Sequence, residues 1–100
     1  MSTSRDTIAY LLEQLEPLDV RARAMFGEYG LYCDGRLVGL VCDDRLLLKP
    51  SPASSGLSEE AAYPGSRPYR RVPDATVDDA AALQGVVAGT AAHMPEPRRR

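Results

Sequence analysis

The side chains best suited to metal binding or redox chemistry are two cysteines and one histidine. Cys33 and Cys42 stand outside a CxxC arrangement, and His93 lies far along the chain. A structural zinc site takes four Cys or His ligands, which three residues at this spacing do not supply. We therefore expect no metal, no cofactor and two unbonded, half-buried cysteines in a reducing compartment, rather than a catalytic or regulatory thiol.

Three acidic pairs are the next candidates, because paired carboxylates perform general acid–base catalysis when they converge in one pocket. Each pair stands where a turn, a loop or a helix start favours acidic residues independently. The pairs are Asp43/Asp44, Glu59/Glu60 and Asp78/Asp79. Residues 27–30 contain two glycines but lack the following helix that a phosphate-binding loop requires. No catalytic residue is predicted, and we expect the protein not to be an enzyme.

The arginines indicate binding rather than catalysis. The chain has 12 basic and 14 acidic residues, a net charge of −2, and without Arg98–Arg100 the balance is 9 against 14, or −5. Tight DNA binding requires a positive face, so any contact of the folded body with nucleic acid is expected to be weak or indirect. A possible partner patch is predicted near a sheet edge, the alternative being a charged edge that blocks strand pairing. Its members are Arg21, Arg23, Arg67, Arg70 and Arg71.

Two helices are predicted to flank the strands. Apolar residues at helical spacing predict a helix over residues 5–16, with Thr3 or Ser4 as its N-cap and Pro17 after its end. A second helix is expected from Thr76 to about Ala92. It carries small residues at every fourth position, which indicates close packing against the sheet or, in a homodimer, against another subunit. These small residues are Ala81, Gly85 and Gly89.

From Val20 onward the apolar period changes to two, as in half-buried strands. Asp34-Gly35 and Asp43-Asp44 predict two-residue hairpin turns with positive φ. Residues 50–68 are expected to form a loop or a loose helical turn. Strands are expected at residues 20–26, 29–33, 36–42, 45–49 and 69–72. The predicted fold is therefore α+β, an antiparallel meander sheet of about four to five strands with the N-terminal and C-terminal helices packed on one face.

If both hairpins have a regular register, side-chain alternation assigns the strand residues to two faces of the sheet. One face is mixed and is expected to hold Tyr29, Leu31, Arg36, Val38, Leu40, Arg45, Leu47, Lys49 and both cysteines. The other face is apolar and is expected to carry the helices; it holds Tyr32, Leu37, Val41, Leu46 and Leu48. Gly30 and Gly39 are expected to let backbones approach closely.

The segment Met25–Tyr32, MFGEYGLY, together with the Asp34-Gly35 turn and DDRLLLK at residues 43–49, resembles the N-terminal domain of the TfoX/Sxy family of competence regulators. The resemblance covers roughly residues 5–90 and implies one small α+β domain at 1–94, standing alone. Pro95 and Pro97 are expected to end this domain and to leave a disordered Pro/Arg tail at 95–100. The family pattern is carried by Met25, Phe26, Gly27, Tyr29, Gly30, Leu31, Tyr32, Gly35, Asp44 and Lys49. Glu28 replaces a usual second glycine, and Arg70-Arg71 a usual aromatic pair.

The resemblance implies regulation, because competence regulators of this family are similar to co-activators of a transcription factor of the cyclic-AMP receptor type. We therefore expect a cytoplasmic, transcription-associated adaptor that contacts a transcription factor or RNA polymerase, as a monomer or homodimer. The alternatives are a small-molecule or peptide-binding module around Tyr29, Leu31, Leu40 and Leu47, and weak DNA binding through the arginine patch and Arg98–Arg100. No apolar run approaches the ~20 residues that cross a bilayer, so no membrane contact is expected.

Overall fold

The computed structural model of the chain describes residues 3–25 and 28–95, which form an antiparallel sheet with helices on one face. The α+β prediction is confirmed, although the described sheet has six strands, more than expected, in the order β1-β2-β3-β4-β6-β5. The strands are β1 Val20–Met25, β2 Glu28–Cys33, β3 Arg36–Cys42, β4 Arg45–Leu48, β5 Glu59–Ala61 and β6 Pro68–Arg71.

The helices are α1 Arg5–Gln14, α2 Asp74–Val77 and α3 Ala80–Ala92. Ser4 is the N-cap of α1, and its Oγ accepts a hydrogen bond from Thr7 N at 3.2 Å. The predicted helix at residues 76–92 is divided, because Asp79 adopts an extended conformation and caps α3 by accepting from Ala82 N at 3.2 Å. Over the ranges described, no helix is long and apolar enough to cross a membrane.

Both predicted hairpin turns are confirmed. Asp34 and Gly35 have φ values of 54° and 78°, and Asp43 and Asp44 have values of 53° and 61°. Positive φ at both central residues matches the twist of the flanking strands, so these turns connect β2 to β3 and β3 to β4 directly.

A bulge between β2 and β3 changes the predicted faces. Near the turn, Cys33 pairs with Arg36 and Tyr32 with Leu37, as expected, but Leu31 then pairs with Gly39. Val38 is therefore an extra residue on β3. Because side chains alternate along a strand, one extra residue moves every later residue of β3 to the other face relative to β2.

The prediction of one mixed and one apolar face was wrong for this reason. The helix-covered face contains residues from both predicted groups, buried together with Leu11 of α1 and Leu83 and Val87 of α3. These strand residues are Leu31, Cys33, Val38, Val41, Leu46 and Leu48. Cross-strand pairing leaves Tyr32, Leu37, Leu40, Cys42, Arg45 and Leu47 on the opposite side, which we call the second face. Arg36 belongs to the helix side, since its Nη1 donates to Ala91 O of α3 at 2.9 Å.

Residues 50–68 were expected to lack strands, but they contain β5 as well as a 3₁₀ turn at Pro52–Ser54. Glu59 of β5 pairs with Arg70 and Glu60 with Tyr69. Glutamate has low strand propensity, but opposite charges across a ladder stabilise it, which explains a strand in this segment.

Gly39 and Gly89 lie where another part of the chain packs closely against them, whereas Gly85 does not. A Cβ on Gly39 would overlap Leu47 O on β4, as expected for a close approach. On α3, a Cβ on Gly89 would lie 2.6 Å from Ala53 Cβ, so this helix packs closely against the 3₁₀ turn. A Cβ on Gly85 would meet nothing within 4 Å.

Candidate functional site

A groove of about 510 Å³ opens on the second face of the sheet. Strands β2 and β3 form one side of the groove, and the segment from β5 to β6 forms the other. The lining residues are Glu28, Tyr29, Leu40, Cys42, Ala62, Tyr63 and Tyr69. The groove therefore combines Tyr63 and Tyr69 with small and aliphatic side chains on a face that carries no helix. Tyr29 also borders it, although this residue pairs with Val41 and packs against the core on the helix side.

Tyr63 is the most exposed large apolar side chain of the described residues, at 62%. The turn that presents it is fixed by Ser66, whose Oγ accepts from Ala62 N at 3.0 Å and whose N–H donates to Tyr63 O at 3.0 Å. Gly65 completes this turn with a φ of 86°. An ordered turn thus holds an aromatic ring at the mouth of the groove.

Tyr69 of β6 lines the same groove as Leu40 of β3. Burial, and then the nearby Tyr63, raise the pKa of Tyr69 above its usual value of 10.0. Its phenol is therefore protonated near neutral pH and can both donate and accept a hydrogen bond. The groove offers aromatic surface with hydroxyl groups, a combination common in protein interfaces.

Glu28 supplies the carboxylate of the lining, but internal hydrogen bonds already engage it. Its Oε1 accepts from Thr3 N at 3.0 Å and from Thr3 Oγ1 at 2.6 Å. Its Oε2 accepts from Asp43 N at 3.1 Å. Glu28 therefore ties the chain before α1 to the β3–β4 turn, which gives this departure from the family pattern a structural role.

Asp44 of the family motif completes the same connection. Its Oδ1 accepts from Ser4 N and from Thr7 Oγ1, both at 2.8 Å. The backbone hydrogen bond from Ser4 and then that from Thr7 lower the pKa of Asp44 below its usual 3.8. The carboxylate anchors the start of α1 and is not free to bind a ligand.

Next to the groove on the second face, Glu60 of β5 lies between two arginines. Arg45 Nη1 contacts Glu60 Oε2, and Arg71 Nη1 lies 3.6 Å from Glu60 Oε1. In the same hairpin, Arg70 Nη2 lies 3.5 Å from Glu59 Oε2. The positive charges of β6 are therefore matched by acidic partners on β5.

The structure does not bring the five arginines of the predicted patch together. Arg21 and Arg23 lie on β1, four strand spacings or about 19 Å from Arg70 and Arg71 on β6. Arg67 precedes β6 and lines a separate cavity of about 300 Å³ with Lys49. The sequence indicated which residues were basic, whereas strand order decides which of them are neighbours.

The other motif residues have mainly structural positions. Phe26, Gly27 and Arg98–Arg100 lie outside the described residues. Gly35 supplies the positive φ of its turn, and Lys49 N donates to Val38 O at 2.8 Å. The remaining residues lie at the end of β1 and in β2: Met25, Tyr29, Gly30, Leu31 and Tyr32. Tyr29 is the residue of this motif that reaches the groove, and no sequence motif marked Tyr63 or Tyr69.

The two cysteines are unbonded, as predicted, but they are buried rather than half-buried and lie on opposite faces of the sheet rather than on one. Burial is the largest cause that raises the pKa of both Cys33 and Cys42 above 9.0. A raised pKa leaves little thiolate at neutral pH, so neither environment activates a nucleophile. Across the ranges 3–25 and 28–95, no three His, Cys, Asp or Glu side chains are grouped to hold a metal ion.

An antiparallel sheet covered by helices on one face and grooved on the other defines a small α+β domain. The chain matches the family model of the TfoX N-terminal domain over residues 11–94. An uncharacterized 12.7 kDa protein in the trpE 5′ region of Spirochaeta aurantia is 40% identical over 105 residues, which span 100% of this chain and 90% of that protein. The protein therefore belongs to the TfoX N-terminal domain family.

Proposed function

We propose that this protein is a cytoplasmic regulatory adaptor without catalytic activity, and that it acts through contacts with a transcription factor or RNA polymerase. One observation carries the proposal. The helix-free face presents a groove of about 510 Å³ that is lined by Tyr63 and Tyr69 and bordered by Tyr29, and the Tyr63 side chain is 62% exposed. Tyrosine is enriched at protein interfaces because its ring buries apolar area and its hydroxyl remains hydrogen-bonded.

The chemistry of the groove favours a protein segment with apolar and aromatic side chains. Glu28, the carboxylate of the lining, is occupied by Thr3 and Asp43. The nearby Arg45 and Arg71 both contact Glu60, whose single negative charge offsets one of their two positive charges. Specific recognition of a charged small molecule requires free charges within the site, and those beside this groove are already paired.

The alternative functions have weaker support. The small-molecule module was expected to use Tyr29, Leu31, Leu40 and Leu47, but Leu31 lies in the helix-covered core and Leu47 is fully buried. Only two of those four residues line the groove. Direct DNA binding by the folded body loses support because the basic residues of β1 and β6 lie far apart and those of β6 face acidic partners.

Affinity capture from the native lysate, with and without nuclease, tests the adaptor function. The tagged proteins are the wild type, Tyr63→Ala in the groove and Tyr10→Ala as a control, since Tyr10 is a 39% exposed tyrosine on α1 outside the groove. A tyrosine anchor contributes about 2 kcal/mol, so Tyr63→Ala is expected to weaken the partner's affinity roughly 30-fold.

Quantitative mass spectrometry is the readout. The adaptor function predicts enrichment of a transcription factor or a polymerase subunit that survives nuclease, is reduced in Tyr63→Ala and is retained in Tyr10→Ala. Enrichment that nuclease abolishes would instead indicate contact through DNA. A capture without such proteins, or one that is equal in both variants, would contradict the proposal.

A further inference from the structure

The outer edge of β1 is a long, regular strand edge. β1 ends the sheet, has six residues, and pairs with β2 from Val20 to Met25 without a change of register. The other end of the sheet is β5, which has only three residues and carries the ion-paired Glu59. Edge strands that are short or charged resist the addition of another strand, and β1 is not short.

The backbone pattern shows which groups of β1 point away from the sheet. Asp34 N donates to Asp19 O at 2.9 Å, so these two residues form a hydrogen-bonded pair. Such pairs alternate in an antiparallel ladder. The backbone N–H and C=O groups of Arg21 and Arg23 therefore form hydrogen bonds to β2, whereas those of Ala22 and Ala24 point away from the sheet. No residue within 3–25 or 28–95 forms a hydrogen bond to these outward groups.

The side chains along this edge are positively charged on one face. Arg21 and Arg23 lie on the second face, and the Arg21 side chain is 82% exposed, although its Nε lies 3.7 Å from Oδ1 of Asp19, whose side chain is itself 63% exposed. They border a shallow cavity of about 530 Å³ together with Asp19 and Tyr32. Residues two apart on a strand are separated by about 6.6 Å, so an added strand would meet two positive charges at alternate positions.

A second copy of the chain does not suit this edge. Antiparallel pairing of two β1 strands through their outward groups sets Ala22 opposite Val20, Ala22 or Ala24 of the other copy. These registers place Arg21 opposite Arg21, Arg21 opposite Arg23 twice, and Arg23 opposite Arg23, respectively. Like charges directly opposite one another destabilise a ladder, so all three registers are unfavourable.

We propose that β1 is a docking edge for an extended segment of another protein, which adds as an antiparallel strand and places acidic residues opposite Arg21 and Arg23. The added backbone bonds to the outward groups of Ala22 and Ala24. The residue between the two acids lies beside Ala22 on the helix side, where Val20 and Ala22 pack against the core, and is therefore apolar or small. The recognised pattern is acid, apolar, acid in an extended chain.

An NMR titration of the labelled protein with a capped peptide of about ten alternating Glu and Thr residues tests this docking edge. The probe is expected to shift the amides of Ala22 and Ala24 and to bind at least about tenfold more tightly than the matched Lys and Thr peptide. Charge reversal in Arg21→Glu with Arg23→Glu is expected to invert that preference.

Ala24→Pro removes one outward N–H while leaving the bonds between β1 and β2 in place, because proline is tolerated on an edge strand when its nitrogen faces solvent. Its matched control is Ala24→Val, which retains the N–H. The proline variant is expected to lose at least about tenfold in affinity, and the valine variant to bind like the wild type. Unchanged amide shifts in β2 verify that both variants fold.

Three outcomes would overturn the docking edge: no shift in β1 at about 1 mM glutamate peptide, equal binding of the lysine peptide, or equal binding by Ala24→Pro and Ala24→Val. Tyr63→Ala is expected to leave this titration unchanged, since Tyr63 lies in the groove and not on β1. Failure of the docking edge is therefore distinguishable from failure of the adaptor function, which depends on the groove.

Discussion

Replacement of Gly85 by alanine is expected to stabilise the protein. Gly85 lies in the interior of α3 and is exposed. A Cβ added there would lie more than 4 Å from every heavy atom outside its chain neighbours and the nearby backbone of its own helix. Alanine exceeds glycine in helix propensity by about 0.8–1.0 kcal/mol, and no overlap offsets this gain. Gly85→Ala should therefore raise the free energy of unfolding by about 1 kcal/mol and the Tm by about 4–8 °C.

Gly89 one turn later is the matched control, because its propensity gain is the same but its surroundings differ. Its Cβ would lie 2.6 Å from Ala53 Cβ, which belongs to a short side chain that cannot turn away. Overpacking costs about 1–3 kcal/mol, so Gly89→Ala should be up to about 2 kcal/mol less stable than the wild type. Adding Ala53→Gly removes the overlapping atom and should recover part of that loss.

Urea unfolding followed by circular dichroism measures these differences as shifts of the midpoint at constant m. A neutral or destabilising Gly85→Ala at unchanged m, or a Gly89→Ala variant more stable than Gly85→Ala, would contradict these two predictions. A Gly85→Ala effect that depends on protein concentration would show that another subunit covers α3, as in a homodimer.

Two further predictions concern ionisable groups. Hydrogen bonds from Ser4 and Thr7 lower the pKa of Asp44, so its stabilising contribution is present above about pH 3.8 and is lost as the pH falls. Asp44→Asn should reduce the pH dependence of the unfolding free energy below that value, and an unchanged acid limb would contradict the role of Asp44. Burial raises the pKa of Cys33 and Cys42, so a thiol reagent at pH 7 should label both only after denaturant is added. Rapid labelling of the native protein, or a native disulfide by mass spectrometry, would contradict the observed register.

Local signals in the sequence were sufficient for most elements. Helix α1 follows from its apolar spacing and from Ser4, and the first four strands follow from period-two alternation. Asp34-Gly35 and Asp43-Asp44 specify their turns through conformations that few residue types adopt. In each case the information lies within about ten neighbouring residues, which is the range over which sequence patterns are most reliable.

The assignment of strand side chains to the two faces of the sheet failed because nothing in the local sequence marks the β-bulge. The bulged residue is Val38, a residue type equally suited to a regular strand, so composition does not reveal the extra position. Its consequence is large, since Leu31 and Val41 become partners in one core although uninterrupted alternation separates them. The register was therefore decided by packing against α1 and α3, and not by the turn alone.

The groove was missed for a related reason. The family motif marks β2 and the two turns, and most of these residues shape the fold. The groove also needs Tyr63 and Tyr69, which come from a segment predicted to be irregular. That segment forms β5 because Glu59 and Glu60 meet arginines of β6 and β4, contacts between residues more than ten positions apart. Sequence-based reasoning recognised these charges but not their pairing.

The arginines illustrate how strand order assigns different roles to one residue type. At the β5 end of the sheet, Arg70 and Arg71 meet acidic partners, which neutralise a short edge and consolidate the wall of the groove. At the β1 end, Arg21 lies 3.7 Å from the exposed Asp19, and Arg23 lies 6.0 Å from the centroid of the Tyr32 ring. Charges that have partly buried partners at one edge and solvent-exposed contacts at the other make the molecule asymmetric toward partners. A contact with an acidic extended segment therefore favours β1, whereas apolar recognition favours the groove.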